Sequence, residues 1–581
     1  MEREVYEFIA AQTGEKIVER RKCINCGQEF AITDKDLEFY SKISPVFNGT
    51  KYEIPAPTLC PDCRQQRRLA WRNERKLYKR KCDLTGKNII SMYSPDGGYK
   101  NYEQSERWSD KWNAMDYGRD FDFTRPFFEQ FNEILKDIPD MALIQDNNEN
   151  SQFTNDCFQS KNCYYLFTSN TNQDCCYWDS VFWCKDTLDS LWVLASEKCF
   201  DVIKSNKCFW CFYWLNLTDC RDCFYCTDCN GCKDCLFCAE IENKSYSILN
   251  KQYSKEEYET IFEQLKNDNS KIEDMKLKYK ELLKTIPKRN ITTIWGENLI
   301  WDQLENSKNC TICFDSFNIT DSKFLYSVWQ VSDGYDCTIT WTLDRTNYRI
   351  YEWLSVPWVN DSICNISCRF GNNIYYSRNC FYSSSLFSCV WLRDKQYCIL
   401  NKQYTKEEYE TLVPKIIEHM KSTWERWEFF PAWISPFGYN ETVANEYFPL
   451  SREQAIAKWY KRQDKEYPIN VPDWIELIKW QDLPKDINDV SDEILKKAVV
   501  CEINSKPFRI VKPELEFYRK HNLPLPCKHP DVRHLERMRK RAPRQLYLRT
   551  CDNCGKQVIS VYPQNNEFKV YCENCYNKQI Y

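Results

Sequence analysis

The stretch Asp219-Cys-Arg-Asp-Cys-Phe-Tyr-Cys-Thr-Asp-Cys-Asn-Gly-Cys-Lys-Asp-Cys-Leu-Phe-Cys238 carries a cysteine at every third position without a break. An α-helix repeats at about 3.6 residues and a strand at 2, so neither places all of these thiols on one face. A chain that coils in short rungs and stacks small side chains inside does fit this period. The stretch therefore favours interior, stacked cysteines over a zinc array, because four ligands exhaust one zinc ion and nothing groups these cysteines in fours.

A longer repeat extends this pattern along the chain. Tyr246-Ser-Ile-Leu-Asn-Lys-Gln-Tyr253 recurs as Tyr397-Cys-Ile-Leu-Asn-Lys-Gln-Tyr404, and Cys229 and Cys238 match Cys380 and Cys389 in the same register. The expected fold is mainly β with α, a two-block parallel β-solenoid. Its first block covers 141–252 and its second 291–403, and a helical insert at 253–290 separates them. The insert is either a brace on the solenoid or a surface for a partner.

Composition bounds the function classes. The chain has 34 cysteines, four histidines and a net charge of −4. This charge excludes a wholesale polycation, so any nucleic-acid surface must be a local patch. The N-terminus does not read as a secretory signal and no apolar run approaches a membrane span, which predicts a cytoplasmic protein with no membrane partner. Reduced thiols then favour metal sites over a disulfide framework, and the scarcity of histidine makes those sites mostly thiolate.

Two Cys-x-x-Cys knuckles near the N-terminus predict a first metal site. Cys23-Ile-Asn-Cys26 and Cys60-Pro-Asp-Cys63 flank a short hairpin and a helix, within a module predicted at 17–81. Each knuckle closes a tight turn that aims two thiolates at one ion, and two knuckles complete a tetrahedron. The sequence therefore predicts a zinc ribbon held by Cys23, Cys26, Cys60 and Cys63.

Each end of the chain carries two ribbon copies. At the N-terminus the first copy keeps its four ligands, and at the C-terminus the second copy keeps them. A zinc ribbon is predicted at 546–581, held by Cys551, Cys554, Cys572 and Cys575. Degenerate copies are predicted at 82–117, beside the first ribbon, and at 491–545, before the last one. Two structural zinc ions per chain follow from this reciprocal loss. An irregular third site is left open, and its ligands would be Cys501, Cys527, His529 and His534.

Arginine-rich segments follow the first knuckle pair and its degenerate copy. They are expected to be helical over 64–81 and 533–549. Their side chains either contact nucleic-acid phosphates or pair with acidic residues of their own module. The candidate contacts are Arg64, Arg67, Arg68, Arg72, Arg537 and Arg541.

No motif for catalysis is present. The chain lacks a phosphate-cradling loop, a nucleophile elbow and a zinc-protease helix motif, and the remaining segments read as a linker helix at 118–140 and a helix with an aromatic connector at 404–490. We expect a non-enzymatic, zinc-binding scaffold with a protein partner and no identified small-molecule substrate. The alternative is an RNA- or ribosome-associated protein that uses the arginine-rich helices, and a hydrolase on the solenoid flank is a third class.

The segment from Cys23 to Arg68 resembles the small "probable zinc-ribbon" domain, a treble-clef-like module. The whole chain resembles an uncharacterised cysteine-rich family from candidate-phyla bacteria, through Asp116-Tyr-Gly-Arg-Asp-Phe-Asp-Phe123, Tyr439-Asn-Glu-Thr442 and Tyr571-Cys-Glu-Asn-Cys-Tyr576. The resemblance implies terminal zinc modules and no established activity.

Tryptophan stands where this resemblance leads us to expect glycine. The chain has only 13 glycines but 21 tryptophans. One hypothesis is that the source organism reads a nominal stop codon as glycine, so that these positions are glycine in the natural protein. The positions are Trp210, Trp358, Trp391, Trp427 and Trp459.

Overall fold

A computed structural model describes residues 1–266, 268–340, 347–355, 358–465, 467 and 471–580. Side chains at 214, 266, 269, 293–303, 340 and 580 also lie outside this description. The described chain is mixed and mostly β, with two large sheets built from parallel strands. Its helices lie in the end modules, in the insert and in the connector.

The α-helices are short and most belong to the segments outside the two large sheets. Their bounds are α1 Arg3–Thr13, α2 Asp34–Ile43, α3 Pro61–Leu69, α4 Gln104–Arg107, α5 Phe127–Asp137, α6 Lys255–Lys266, α7 Asn269–Thr285, α8 Lys406–Ser422, α9 Val443–Tyr447, α10 Arg452–Ala457, α11 Lys512–His521, α12 Pro530–Lys540 and α13 Glu573–Ile580.

The first large sheet lies within the predicted first block, residues 141–252. Its strands pair in parallel, except for the last pair, β20 with β21, which is antiparallel. They are β9 Gln145–Asp146, β10 Asn155–Phe158, β11 Tyr164–Asn170, β12 Gln173–Phe182, β13 Lys185–Leu188, β14 Leu191–Leu194, β15 Glu197–Asn206, β16 Phe209–Thr218, β17 Arg221–Phe224, β18 Thr227–Asn230, β19 Lys233–Leu236, β20 Ser245–Ile248 and β21 Lys251–Gln252.

The second large sheet lies within the predicted second block, residues 291–403, and ends in the same antiparallel pair. Its strands are β23 Thr293–Lys323, β24 Tyr326–Thr340, β25 Asn347–Leu354, β26 Val359–Ile366, β27 Gly371–Tyr375, β28 Ser384–Phe387, β29 Gln396–Ile399 and β30 Lys402–Gln403.

The remaining strands are short and form two- and three-stranded sheets in the end modules and their junctions. They are β1 Ile17–Lys22, β2 Glu29–Thr33, β3 Val46–Phe47, β4 Thr50–Lys51, β5 Tyr78–Lys81, β6 Asn88–Ser91, β7 Asn101–Tyr102, β8 Asp140–Met141, β22 Lys288–Arg289, β31 Glu476–Lys479, β32 Lys497–Val500, β33 Pro507–Phe508, β34 Tyr547–Thr550, β35 Gln557–Ser560 and β36 Val570–Tyr571.

The backbone explains the three-residue period of the 219–238 stretch. The residue before each cysteine of that stretch is left-handed, with φ between 50° and 62°. Asp and Asn tolerate this conformation better than other non-glycine residues, which accounts for the repeated Asp-Cys pairs. The aspartate turns the chain and the next residue points inward, so the cysteines are buried, at most 2% exposed.

Successive turns of each block stack in register. Cys199 lies beside Cys211 and Cys223 beside Cys235 across parallel strands, and side-chain bonds between adjacent turns join residues twelve apart. At the turns, Asn162 donates to Asp174 at 2.9 Å and Asn309 to Asp321 at 2.8 Å. These amide–carboxylate contacts run along the outside of the stack, and the thiols fill the inside.

Helices cover the last turns of both blocks. Thr405 and Glu408 form a capping box at the start of α8, and Ser254 and Glu257 make the matching pair of bonds before α6. Each box satisfies backbone donors at a helix start. The insert itself is a hairpin of α6 and α7, and its Tyr258 is buried against the first block.

All five tryptophans singled out by the sequence have positive φ, between 52° and 63°. Inside the blocks this distinguishes nothing, because every third residue over 147–249, 306–339 and 349–400 is left-handed whatever its type. Trp427 and Trp459 lie outside the blocks, and Trp424, which the sequence analysis missed, joins them with a φ of 63°. A bulky residue in this region is a conformational outlier that glycine would relieve.

Candidate metal centres and the arginine helices

The N-terminal quartet is assembled by two local elements. Cys23 and Cys26 lie in the turn between β1 and β2, where the Gly27 amide donates to the Cys23 carbonyl at 2.9 Å with φ of 74°. Cys60 immediately precedes α3, and Cys63 lies in its first turn. Asn25 donates to Cys63 Sγ at 3.3 Å, which supports a thiolate there.

The C-terminal quartet uses the same construction. Cys551 and Cys554 lie in the turn between β34 and β35, with the Gly555 amide 2.9 Å from the Cys551 carbonyl. Cys572 precedes α13 and Cys575 lies within it. The Cys572 amide donates to Cys551 Sγ at 3.2 Å. Burial by itself would raise the pKa of Cys551, but amide donation from Cys572 and Cys554 lowers it to about 6.

The sulfur spacing fits a tetrahedral metal ion. All four ligand atoms of each quartet lie within 4.8 Å of one another. Cys26 Sγ is 3.7 Å from Cys60 Sγ, and Cys554 Sγ is 3.8 Å from Cys572 Sγ. Zn–S bonds of about 2.3 Å in a tetrahedron require sulfurs roughly 3.8 Å apart. Both quartets could therefore hold a metal ion, and four thiolates are a donor set that zinc accepts.

The degenerate copies keep the turn but not the ligands. The Cys82 amide bonds to the Lys87 carbonyl at 2.8 Å and the Cys501 amide to Lys506 at 3.1 Å, as Cys23 does with Gln28 at 2.9 Å. The irregular third site does not form among the described residues. His529 instead caps α12 by accepting from the Asp531 amide, and His534 lies 3.1 Å from Glu446.

The central cysteines do not form a metal-binding group in the described part of the chain. Their thiols bond to the backbone: Cys229 Sγ donates to the Thr227 carbonyl at 3.3 Å and lies 3.7 Å from the Cys238 carbonyl. Burial raises the pKa of Cys184, Cys208 and Cys398 to about 12. A pKa this high keeps these three thiols protonated, whereas a metal ligand has to be a thiolate.

The arginines proposed to contact nucleic acid are buried. Helix α3 ends at Leu69 and α12 at Lys540, so neither helix runs as far as the sequence predicted. Each of the six residues is at most 9% exposed and its side chain faces carboxylates of this chain. Their positions therefore do not support phosphate contacts. The alternative, pairing with acids, fits, but most partners lie in the two blocks and not in the arginines' own module.

Helix α3 of the N-terminal module docks on the second block. Arg64 Nε lies 2.9 Å from Asp336 and Arg68 Nη1 lies 2.8 Å from Glu352. Arg67 bridges Glu352 at 2.8 Å and Glu428 at 2.7 Å. Asp336 and Glu352, the acids that belong to the block, are at most 1% exposed, so their pairs with Arg64 and Arg68 are desolvated.

Helix α12 of the C-terminal module docks on the first block in the same way. Arg537 lies 3.1 Å from Asp189 and 3.4 Å from Asp201, and Arg533 also pairs with Asp189. Arg533 and Arg537 stand at the same places after His529-Pro-Asp-Val532 as Arg64 and Arg68 do after Cys60-Pro-Asp-Cys63. Each end module therefore contacts the block that is more distant in sequence.

The acids also correspond. Glu352 and Asp201 stand equally far before the matched residues Tyr397 and Tyr246. Asp336 and Asp189 lie one turn earlier, since their neighbours Tyr335 and Leu188 pair with Tyr351 and Phe200. Sequence reasoning missed these acids because the left-handed corners carry many aspartates. The available signal was an acid at matching corners of both blocks, combined with an arginine pair in both modules.

A third arginine after each helix reaches across to the other block. Arg72 pairs with Asp156 and donates to Thr168 at 2.9 Å in the first block. Arg541 lies 2.9 Å from Asp315 in the second block. The two arginine segments thus join both blocks and both ends of the chain.

No protein-family model matches the chain, and a search of curated proteins finds no similar sequence. The resemblance to a candidate-phyla family therefore rests on its motifs alone. Within the described ranges, none of the helices has the length and apolar character needed to cross a membrane.

Proposed function

We propose that this protein is a non-enzymatic scaffold: a two-block β-solenoid whose ends carry structural zinc. The two thiolate quartets carry the proposal. Each supplies four sulfurs at tetrahedral spacing, which fills the coordination shell of one zinc ion and leaves no open position for a substrate or an activated water. A closed site of this kind stabilises a fold and does not catalyse.

The solenoid assignment is supported by the parallel pairing at a twelve-residue offset and by the left-handed corners at every third position. In the blocks, the buried thiols replace the larger apolar side chains of an ordinary core. All 34 cysteines are unbridged, which is consistent with a reducing compartment, and we propose the cytoplasm.

A protein partner is the binding class we favour. The alternative, RNA binding, requires the six candidate arginines to be available for phosphates, but all six form ion pairs with carboxylates of the chain. An extended solenoid flank offers a long surface of fixed shape, which suits protein recognition.

Metal analysis of freshly purified protein tests the zinc assignment. We expect two zinc ions per chain, and cobalt substitution should give the visible spectrum of a tetrahedral thiolate site. Four ions per chain, or none, would refute the assignment. Affinity purification from native cells, with and without ribonuclease, then separates the two binding classes. A protein partner retained after ribonuclease supports the scaffold, and RNA lost in moderate salt supports the rival.

A further inference from the structure

A cavity of about 660 Å³ lies where the N-terminal module meets both blocks. Tyr93 from the N-terminal module, Phe158 from the first block and Arg369 and Tyr382 from the second all line it. Sites for small molecules commonly enclose about 300–1,000 Å³. The junction is thus large enough for a compact organic ligand, and three separate parts of the chain hold its shape.

Most charges in this cavity are neutralised by near neighbours. Arg72 pairs with Glu74 and Asp156, and Arg378 lies 2.6 Å from Asp140. Arg369 differs from these arginines. Among the described residues, no carboxylate lies within the 4.0 Å limit of an ion pair with its guanidinium, and its buried Nε has no hydrogen-bond partner.

The surroundings of Arg369 favour an added anion. Its guanidinium lies 5.4 Å from the centre of the Phe158 ring, and its Nε is buried without a partner. Burial lowers the pKa of Arg369, and the more distant Asp156 and Asp146 only partly offset that effect. Arg369 is half-buried, and a cation partly removed from water without a close counterion is costly to hold, so an oxyanion placed beside it would be bound favourably.

Flat aromatic rings line the same cavity. Phe370 and Tyr382 stack with their centroids 4.5 Å apart and an interplanar angle of 2°, and Tyr382 is 52% exposed. Trp108, 45% exposed, packs on Phe381 at 5.7 Å. Tyr382 ends this stack, with the Arg393 guanidinium 6.0 Å from the centre of its ring, and an exposed ring of this kind can receive a further flat ring.

We propose that this cavity binds a small flat aromatic or heteroaromatic molecule that carries a phosphate or carboxylate group. The ring would stack beside Phe370 and Tyr382, and the oxyanion would pair with Arg369, whose planar fork matches either group. A nucleoside monophosphate and an aromatic carboxylate share this chemistry. The inference does not depend on the zinc sites or on the scaffold function.

Calorimetric titration of the full chain with four probes tests the proposal. The probes are adenosine monophosphate, indole-3-acetate, adenosine and inorganic phosphate. We expect at least one of the two aromatic anions to bind, with the two fragments binding at least tenfold more weakly. Whichever anion binds identifies the oxyanion as phosphate or carboxylate. Absence of binding by both at millimolar concentration overturns the proposal.

Two variants locate the binding. Arg369→Gln should weaken binding at least tenfold, and Tyr382→Ala, which changes an exposed side chain, should weaken it several-fold. Arg349→Gln is the matched control, because Arg349 lies in the same block and pairs at the surface with Asp361. Unchanged affinity in Arg369→Gln, with zinc content and circular dichroism as in the parent protein, would also overturn the proposal.

Discussion

The arginine helices at the two ends of the chain dock on the blocks through the same kind of contact, but they begin at different kinds of residue. At the N-terminal end, α3 follows Cys60, which belongs to a quartet that could hold a metal ion, and the arginines of α3 pair with acids of the second block. At the C-terminal end, α12 starts at His529, a cap and not a ligand, and its arginines pair with acids of the first block. The arginine–acid contact is what the two ends share, so docking does not require a metal at the start of the helix.

The surroundings of the two quartets differ, and this indicates where a bound metal ion would act. The N-terminal quartet belongs to the large core that includes the second block, where Cys60 and Cys63 are buried. The C-terminal quartet belongs to a small separate cluster around Cys551, Val558 and Cys572. We infer that zinc at the first end supports the docked helix directly, whereas zinc at the last end supports mainly its own small ribbon.

The largest expected effect is the loss of either zinc ion. Cys60→Ser and Cys572→Ser should each abolish binding of one ion, and structural zinc can supply about 10–16 kcal/mol of folding free energy. Cys60→Ser should lower the melting temperature more, because the N-terminal site anchors α3 in the shared core. Zinc per chain and thermal unfolding measure both expectations.

Hydrogen exchange makes the same comparison locally. In Cys60→Ser the amides of α3 should lose protection, while those of α12 keep theirs, because α12 is not capped by a metal ligand. Cys82→Ser is a control, since Cys82 belongs to no quartet. Equal loss of protection in both helices would show that the two ends are not independently held.

The second effect concerns the buried arginines. Arg68→Met and Arg537→Met each remove one cation from a buried group of ion pairs, and removing one partner of a buried pair costs about 3–5 kcal/mol. The acids keep a second cation, Arg64 or Arg67 at one end and Arg533 at the other, so this figure is an upper bound. Arg68→Met should be the more damaging, because both of its acids are at most 1% exposed on their side chains, while Asp201, one of the two acids beside Arg537, is 21% exposed and can be rehydrated. Denaturant unfolding measures the free energy of unfolding of both.

Arg349→Met supplies the matched control for this pair. Arg349 and Asp361 form a surface ion pair with side chains 44% and 40% exposed, and such pairs contribute at most about 1 kcal/mol. If Arg537→Met proved as mild as this control, the C-terminal docking would not depend on its ion pairs, and the comparison between the ends would fail.

Local sequence patterns predicted the features of the fold that are set by residues close together in the chain. The Cys-x-x-Cys knuckles predicted both quartets that could hold metal, and the third-residue cysteines predicted the parallel strands, because each pattern is set within a few residues. The target of each helix could not be predicted in this way. Arg64 and Asp336 are brought together only when the chain folds back over the first block, and no period in the sequence records that pairing.

The helix lengths were wrong for a related reason. The charge stripe after Cys63 continues to Lys81, but α3 ends at Leu69 and the chain returns as strand β5. Arg72 and Arg75 leave the helix because each is bound by partners in different parts of the molecule, Arg72 by Asp156 and Arg75 by Asp531. Tertiary pairing overrides the helical preference of this basic run.

The third effect is a pH dependence confined to one end. Burial lowers the pKa of His521, His529 and His534 to about 4, from an ordinary value of 6.5. All three lie in the C-terminal module, and the first 400 residues contain no histidine. As the pH falls, the unfolded chain takes up these protons at a higher pH than the folded chain does. The stability of the fold with neutral histidines is therefore complete above pH 6.5 and is lost as the pH falls toward 4.

Hydrogen exchange, corrected for the intrinsic rate, should therefore show α11 and α12 losing protection between pH 6.5 and 4.5 while α2 and α3 change less. His534→Gln keeps a donor near Glu446 but cannot titrate, so it should reduce the loss in α12. A parallel loss in both modules would contradict the assignment of this effect to the histidines.

The smallest effect compares how helices end in the two halves. The residue that follows α1, Gly14, has a φ of 68°, and Trp459, two residues after the end of α10, has a φ of 61°. The Trp459 amide bonds to the Ile456 carbonyl and the Tyr460 amide to Ala455, each at 3.0 Å. This is the Schellman arrangement, whose left-handed position is usually glycine. Trp424 occupies the same place after α8, where its amide donates to the Lys421 carbonyl at 3.4 Å and the Glu425 amide donates to the Met420 carbonyl at 2.8 Å.

Replacing this tryptophan with glycine should therefore stabilise the protein. Trp459 is 83% exposed, so little buried area is lost, whereas relief of the left-handed strain is worth about 1–2 kcal/mol. Trp433→Gly is the control, since Trp433 lies in a 3-10 helix and its loss should destabilise. Destabilisation by Trp459→Gly would remove the conformational argument. Peptide masses from the native source decide the coding question separately, because glycine at 459 requires recoding and tryptophan there excludes it.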